Sequence, residues 1–351
     1  MPQTVLINED GFYDATPTYL FDHADLYNTD PHQAALNWFR EAHYGLGVDF
    51  GVHALIGKGH DVMLKDNIAI DVYSCLQKKF SVEHFDAIDI VEFAIANGMR
   101  YIDFTVCGPD GFCLWRSASC EFNCFNSPAH RDLLAELASV CEFNGLGLCL
   151  RYSHGYNWRH PHSSMTLAPG EDGRDLHKYL EFIELQIKEL LTQYGPVAAI
   201  CLEGIDVPRS DGFEKYECNE LYRMIRILQP QTLISYQQGM TGDEDFFTVV
   251  GDLPDKNATA DAQGFVNSQL NKPCEIIDSL TPGCIGYNPA FAGMHRRVEY
   301  VWKRLKNAGE KHCNYLVSTA LMPDGSLDLE DINTLLEVGK RIESSGFPAV
   351  K

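Results

Sequence analysis

The chain has 351 residues, 45% hydrophobic and 22% charged, enough to bury one large α/β core or two ordinary ones. Its formal net charge of −21 repels phosphate backbones and anionic membrane surfaces, so neither nucleic acid nor membrane is an expected partner. The 12 cysteines are scattered with no CxxC pair, and neither a leader nor an apolar run approaching about 18 residues is visible, so the sequence reads as a cytoplasmic protein whose thiols stay reduced.

Residues 1–33 are rich in turn formers and read as an N-terminal arm packed on a single main domain, 34–351. A helix is predicted over 33–43 and a strand over 44–51, then a helix over 86–97 closed by Gly98 just past its last turn. A strand follows at 100–106, a helix from 126–128 to 143 with Pro128 in its first turn, and a strand at 146–152. A polar loop through 169–173 leads to a helix at 175–194, with apolar residues at 176, 180, 183, 187, 190 and 191. Next come a strand at 197–203, a helix at 214–228, a strand at 232–236 and a long loop at 239–270. A short strand near 274–277, a helix at 295–308, a strand at 314–319 and a helix at 329–343 complete the chain. This alternation predicts a (β/α)8-like TIM barrel. An open doubly wound sheet would carry a glycine-rich phosphate loop after an early strand; Gly145-Leu146-Gly147 instead precedes its strand, and no cofactor is expected.

Five apolar side chains at 198–202 lead into Glu203 and Gly204, a buried parallel strand with a carboxylate at its C-terminal end. In a barrel that end faces the chemistry. Three other stretches lie at predicted strand ends: Trp38 to Gly51, Cys107 to Ser117, and Pro273 to Ile277 with Gly286 to Pro289.

Together these stretches resemble the α-L-fucosidase family of glycoside hydrolases, whose members read WFRdAkFGiFiHWG, KHHDGFclWdS, YGpidglWfDG and WEtc…sWGYnp in the same order. Arg131-Asp132, Tyr194-Gly195-Pro196, Asn314 and Met322-Pro323-Asp324-Gly325 fit the same register from Trp38 to Gly325. The 26 residues after Gly325 leave no room for that family's frequent C-terminal β-sandwich, so a catalytic domain alone is expected. The resemblance implies a retaining exo-glycosidase that removes a terminal α-linked fucose or a related sugar, with Glu203 as nucleophile and Glu275 as acid/base; Glu244 is a reserve for the acid. Such carboxyl pairs stand about 5–5.5 Å apart. It also implies a carbohydrate substrate bound by Asp49, Phe50, Asp110, Trp115, Arg151, Tyr152, Trp158 and Tyr287, with no metal; a homo-oligomer stays open. The alternative is a catalytically silent carbohydrate-binding protein on the same scaffold.

Several positions depart from the family pattern. Asp49 and Phe50 replace the His-Trp of HWG, Gly108-Pro109 replace the two histidines of HHDGF, Arg151 a tyrosine, Cys201 a tryptophan, Ser318 an asparagine, and Glu203 the family's aspartate. A site built to bond one hydroxyl rejects analogues lacking it, so these changes predict altered sugar recognition. Arg151 either pairs with Asp49 or Glu203 or offers its planar fork to an anionic substrate group. His154, His160 and His162 read as pocket-wall residues near Trp158 or, since no acidic residue interleaves with them, less well as metal ligands. Asp206 is a rival nucleophile if the strand register slips.

Overall fold

The computed structural model describes residues 15–168, 173–204, 216–237, 239–251 and 271–348. Eight strands run parallel: β1 (Tyr44–Asp49), β2 (Tyr101–Cys107), β3 (Gly147–Ser153), β4 (Ala199–Glu203), β5 (Leu233–Tyr236), β6 (Phe247–Val250), β7 (Cys274–Ser279) and β8 (Cys313–Ala320). Their longer helices are α1 (Pro31–Ala42), α2 (Ala87–Ala96), α3 (Leu133–Asn144), α4 (Leu176–Gln193), α5 (Cys218–Leu228), α6 (Val298–Glu310) and α7 (Leu329–Ser345). The strand order β5-β4-β3-β2-β1-β8-β7-β6 sets β1 beside β8, so the sheet curls round as the sequence predicts for a TIM barrel. At the remaining seam Ser235 bridges to Phe246, the Asp245 amide donates to the Ile234 carbonyl at 2.7 Å, and the Ile234 amide donates to Asp245 Oδ2 at 2.8 Å. His32 Nε2 and Arg226 Nη2 hold the same aspartate from α1 and α5, at 2.8 and 3.3 Å. No described helix is long and apolar enough to cross a membrane.

The strand sequences are mostly apolar because each is covered twice, by helices outside and by side chains in the lumen; Asp103, Arg151, Glu275 and Asp278 interrupt them. The strand β6 falls inside the stretch predicted as loop 239–270: it has four residues and directly follows the acidic turn Asp243-Glu244-Asp245, so no alternation could develop. Helix α3 begins at Leu133 rather than near Pro128, because the Asp132 carboxylate accepts the Ala135 amide at 3.0 Å and sets the cap there. Aspartates 30, 86, 175 and 328 cap α1, α2, α4 and α7 in the same way, so part of the acidic composition marks helix starts. The Asp30 cap, with Pro31 at the first position, starts α1 two residues before the expected boundary at 33.

The lower end of the barrel is plugged. Tyr19, Leu20, Trp38 and Phe39 are buried there against Tyr101, Cys149, Leu233, Phe246 and Leu316. Trp38 reaches the plug because residue 147, on β3, is glycine: a Cβ there would stand 2.5 Å from the indole ring. Substituting Gly147→Val therefore overpacks a rigid interior, and a loss of about 1–3 kcal/mol is expected. Thermal denaturation reads this; an unchanged midpoint would show that the plug is not close-packed.

Candidate active site at the C-terminal mouth

The upper mouth is built from strand ends. Glu203 is the last residue of β4 and its side chain is 23% exposed. Its carbonyl accepts the amides of His154 and Gly155 at 3.0 and 2.9 Å, locking the ends of β3 and β4 together. The carboxylate receives Arg151 Nη1 at 3.4 Å, and Arg151 Nη2 pairs with Asp103 Oδ2 on β2. Arg151 is thus suspended between a carboxylate at the mouth and one within the lumen. Burial disfavours its charge, but the nearby carboxylates of Asp103 and Glu203 outweigh that and hold the guanidinium firmly protonated. Of the alternatives open for Arg151, the pair with Glu203 forms and the pair with Asp49 does not.

Glu275 is not presented at the mouth. It is the second of six residues in β7, faces the lumen at 1% exposure, and accepts a hydrogen bond from the Tyr101 hydroxyl at 2.7 Å. Tyr101 opens β2 at the lower end of the barrel, and its ring crosses the space left by Gly45 of β1, where a Cβ would meet the ring at 2.3 Å. The resemblance places Glu275 beside the reacting bond, but its place low on a six-residue strand encloses it beneath Arg151 instead. Burial, then the charge of Asp103, raise its carboxyl to about 7. Glu244 is also unsuited to donate a proton. It is buried, and its oxygens accept the amides of Met240, Thr241 and Gly242 at 2.7, 2.9 and 3.0 Å and the Tyr222 hydroxyl at 2.9 Å. Against the effect of burial, these bonds hold its pKa below the usual range. Asp206 lies outside the described residues.

On the β1–β2 side the mouth carries a buried charged network. His53 Nε2 bonds Asp49 Oδ1 at 3.0 Å, and His53 Nδ1 stands 3.9 Å from Asp110 Oδ2. Tyr73 donates to the same Asp110 oxygen at 2.7 Å, the Phe112 amide donates to Asp110 Oδ1 at 3.1 Å, and His60 Nδ1 lies 3.6 Å from Asp49 Oδ2. Burial alone would neutralise these groups. Mutual attraction prevails: His53 rises to about 9, while Asp49 and Asp110 are held below the usual carboxylate range. With Phe50, Thr105, Gly108 and Pro109 the network lines a cavity of about 10 Å³, room for one water-sized group.

The expected binding residues divide. Asp49, Asp110, Arg151 and Glu203 reach this face. Phe50 is core, with its ring 5.2 Å from Phe80. Trp115 is fully buried and donates to Glu189 of α4 at 2.9 Å, and Tyr152 donates outward to Gln186 of α4 at 2.5 Å. Neither faces the lumen; on β3 the inward position is Arg151, so period 2 turns Tyr152 outward. Trp158 is buried in a stacked pair with Tyr156, and Tyr287 is half-buried beside Gly57. His154 is buried and held neutral by burial, its pKa near 4; His160 stacks on Phe182. The histidines of that loop form no metal-binding cluster among the described residues; the group spaced to hold a metal ion is His295 with Asp328 and Asp331, where His295 Nδ1 already bonds Asp331 at 2.7 Å. Sequence reading missed His53, His60, Tyr73, Asp103 and Tyr101. Asp103 had a signal: a charge inside a doubly covered apolar strand must find a buried partner, in the lumen as here or on a covering helix, as Asp278 does with Arg304. His53 and Tyr73 had none, since their segment lacks periodicity.

Residues 23–346 match the family described as Alpha-L-fucosidase. The chain belongs to this family. It is 27% identical over 281 residues to Alpha-L-fucosidase 1 of Arabidopsis thaliana, covering 74% of this chain and 51% of that protein. It is 22% identical over 336 residues to the tissue alpha-L-fucosidase of Rattus norvegicus, covering 88% of this chain and 68% of the relative. The chain thus spans about half the length of the plant relative. Among solved structures, alpha-L-fucosidase isoenzyme 1 from Paenibacillus thiaminolyticus aligns at a TM-score of 0.77 with 24% identity, over 90% of this chain and 77% of that one. Alpha-L-fucosidase AlfC from Lactobacillus casei, in complex with alpha-L-fucose product, aligns at 0.74 with 23% identity, over 89% and 98%. These likenesses establish the barrel.

Within this fucosidase-family barrel the His53 network predicts a pH effect. A histidine whose folded pKa is raised stabilises fully below its unfolded value near 6.5 and loses that contribution as pH climbs through about 9. Urea denaturation of the wild type should therefore weaken between about pH 7 and 10, and this dependence should shrink in His53→Gln, the remainder belonging to His60, which Asp49 and Asp61 also hold protonated. Equal slopes in both proteins would show that His53 carries no charge in the fold.

Proposed function

We propose that the chain is a retaining exo-glycosidase that cleaves a terminal α-linked fucose or a related deoxy sugar, with Glu203 attacking the anomeric carbon. The observation that supports it is the setting of Glu203: a carboxylate ending a barrel strand at the mouth, part-exposed, and oriented by a guanidinium. Formation of the glycosyl–enzyme bond expels the aglycone, and water then releases the sugar with retained configuration. Arg151 keeps the attacking oxygen pointed outward, and alignment of this kind supplies much of the barrier reduction in such steps. Glu275 is enclosed in the lumen, so the leaving oxygen takes its proton from solvent water at the open mouth. The choice of sugar follows from the proteins this chain resembles, one of which is named for its complex with alpha-L-fucose. On the mouth's β1–β2 side the small cavity between His53 and Asp110 sets a tight limit on any hydroxyl that enters.

A second reading is favoured by the same ion pair: Arg151 neutralises Glu203, and with Glu275 enclosed the site could bind sugar without turning it over. One experiment separates them. A 4-nitrophenyl α-fucoside needs little help from a general acid, so the wild type should hydrolyse it while Glu203→Gln loses at least about a hundredfold in kcat. Azide should restore turnover in Glu203→Gly and yield the inverted glycosyl azide. If the wild type binds fucose but releases no nitrophenol, the silent binding protein is correct.

A further inference from the structure

Two carboxyl oxygens in the lumen lack partners. Asp103 gives Oδ2 to Arg151, and Glu275 gives Oε1 to Tyr101; Asp103 Oδ1 and Glu275 Oε2 accept no hydrogen bond from any described residue. Both residues are nearly fully buried, at 2% and 1% exposure. Two ionised carboxylates so placed would leave buried charge unsatisfied. A proton on Glu275 removes one of these charges.

We propose that Asp103 and Glu275 are positioning residues beneath the mouth, setting through Arg151 how firmly Glu203 is held. The inference rests on Glu203 being the reacting carboxylate. Glu275 is faced by Tyr101 and Asp103 from β2, Cys149 and Arg151 from β3 and Cys201 from β4, with Cys274 beside it on β7; its strand neighbours Thr248 and Asn314 are uncharged. Burial keeps the phenol and these thiols neutral. Asp103, Arg151 and Glu275 are therefore the charges that matter around neutrality. When Glu275 is protonated, Arg151 answers to Asp103 and Glu203. When its proton leaves to solvent, a second lumen carboxylate competes for the same cation. Arg151 is then drawn inward, and its 3.4 Å contact with Glu203 loosens. Arg151 is what makes the lumen acids felt at the mouth.

The test uses the full chain labelled with carboxyl-¹³C glutamate, with the resonances assigned through Glu203→Gln and Glu275→Gln. The Glu275 signal should titrate near 7, and the Glu203 signal should move in the same window. Arg151→Met should abolish that second movement, and Asp103→Asn should lower the Glu275 midpoint by about one pH unit. In hydrolysis, kcat should fall above that midpoint, and Glu275→Gln should remove the fall at unchanged KM. A Glu203 signal that ignores the Glu275 titration overturns the proposal, as does a Glu275 that titrates like a surface carboxylate. If Glu275→Gln does not fold, Asp103→Asn and Arg151→Met carry the same comparison. Coupled signals in a protein that hydrolyses no fucoside would support the network and refute the glycosidase reading, so the two failures are distinct.

Discussion

A guanidinium inside a barrel must be neutralised where it stands, and Arg151 imposes that requirement on its surroundings. A permanent charge in a poorly solvated interior is tolerated only when paired and hydrogen-bonded. Asp103 meets the need from the neighbouring strand, at a lumen-facing position that otherwise suits an apolar residue. Its presence then bears on Glu275, because two ionised acids around one cation leave an excess of buried charge. Glu203, at the end of the next strand, takes the arginine's outer nitrogen and is thereby oriented. The polar column in the lumen, from Tyr101 through Glu275, Asp103 and Arg151 to Glu203, follows from placing one arginine where the family pattern has a tyrosine.

The packing below it serves the same end. Tyr101 reaches Glu275 only because Gly45 leaves its ring room, and the plug of Trp38, Phe39 and Tyr19 keeps water from the lower lumen. An enclosed acid with one phenol for a partner holds its proton to higher pH than a solvated one. At the other side of the mouth, Asp49 and Asp110 are charged for the opposite reason. Each faces a histidine, so attraction exceeds the cost of burial. Carboxyl groups of one small barrel therefore behave differently according to whether their nearest charged neighbour is an acid or a base.

Much of this architecture can be read from the chain. The alternation of apolar runs with amphipathic segments, and stretches such as Trp38 to Gly51 in register with Met322 to Gly325, point to the barrel and its family. The position of Glu203 follows from a buried strand that stops at an acid. Reading fails where periodicity is short or absent. Strand β6 has too few residues to show a pattern, and the segment that carries His53, His60 and Tyr73 is a series of short turns. Motif likeness also misplaces side chains: Trp115 and Tyr152 sit within or beside matching stretches yet turn toward α4.

By itself, then, the sequence determined the local and repetitive features: where strands and helices alternate, where aspartates cap them, and that an acid closes β4. These depend on residues close together in the chain. Only the tertiary structure decided the electrostatics. Whether Glu275 meets solvent or Tyr101, and whether Arg151 faces a ligand or Asp103, depend on groups 174 and 48 residues apart, brought together by barrel closure and the shear of its strands. Charge in a buried site is a property of that assembled neighbourhood, and no single stretch of chain contains it.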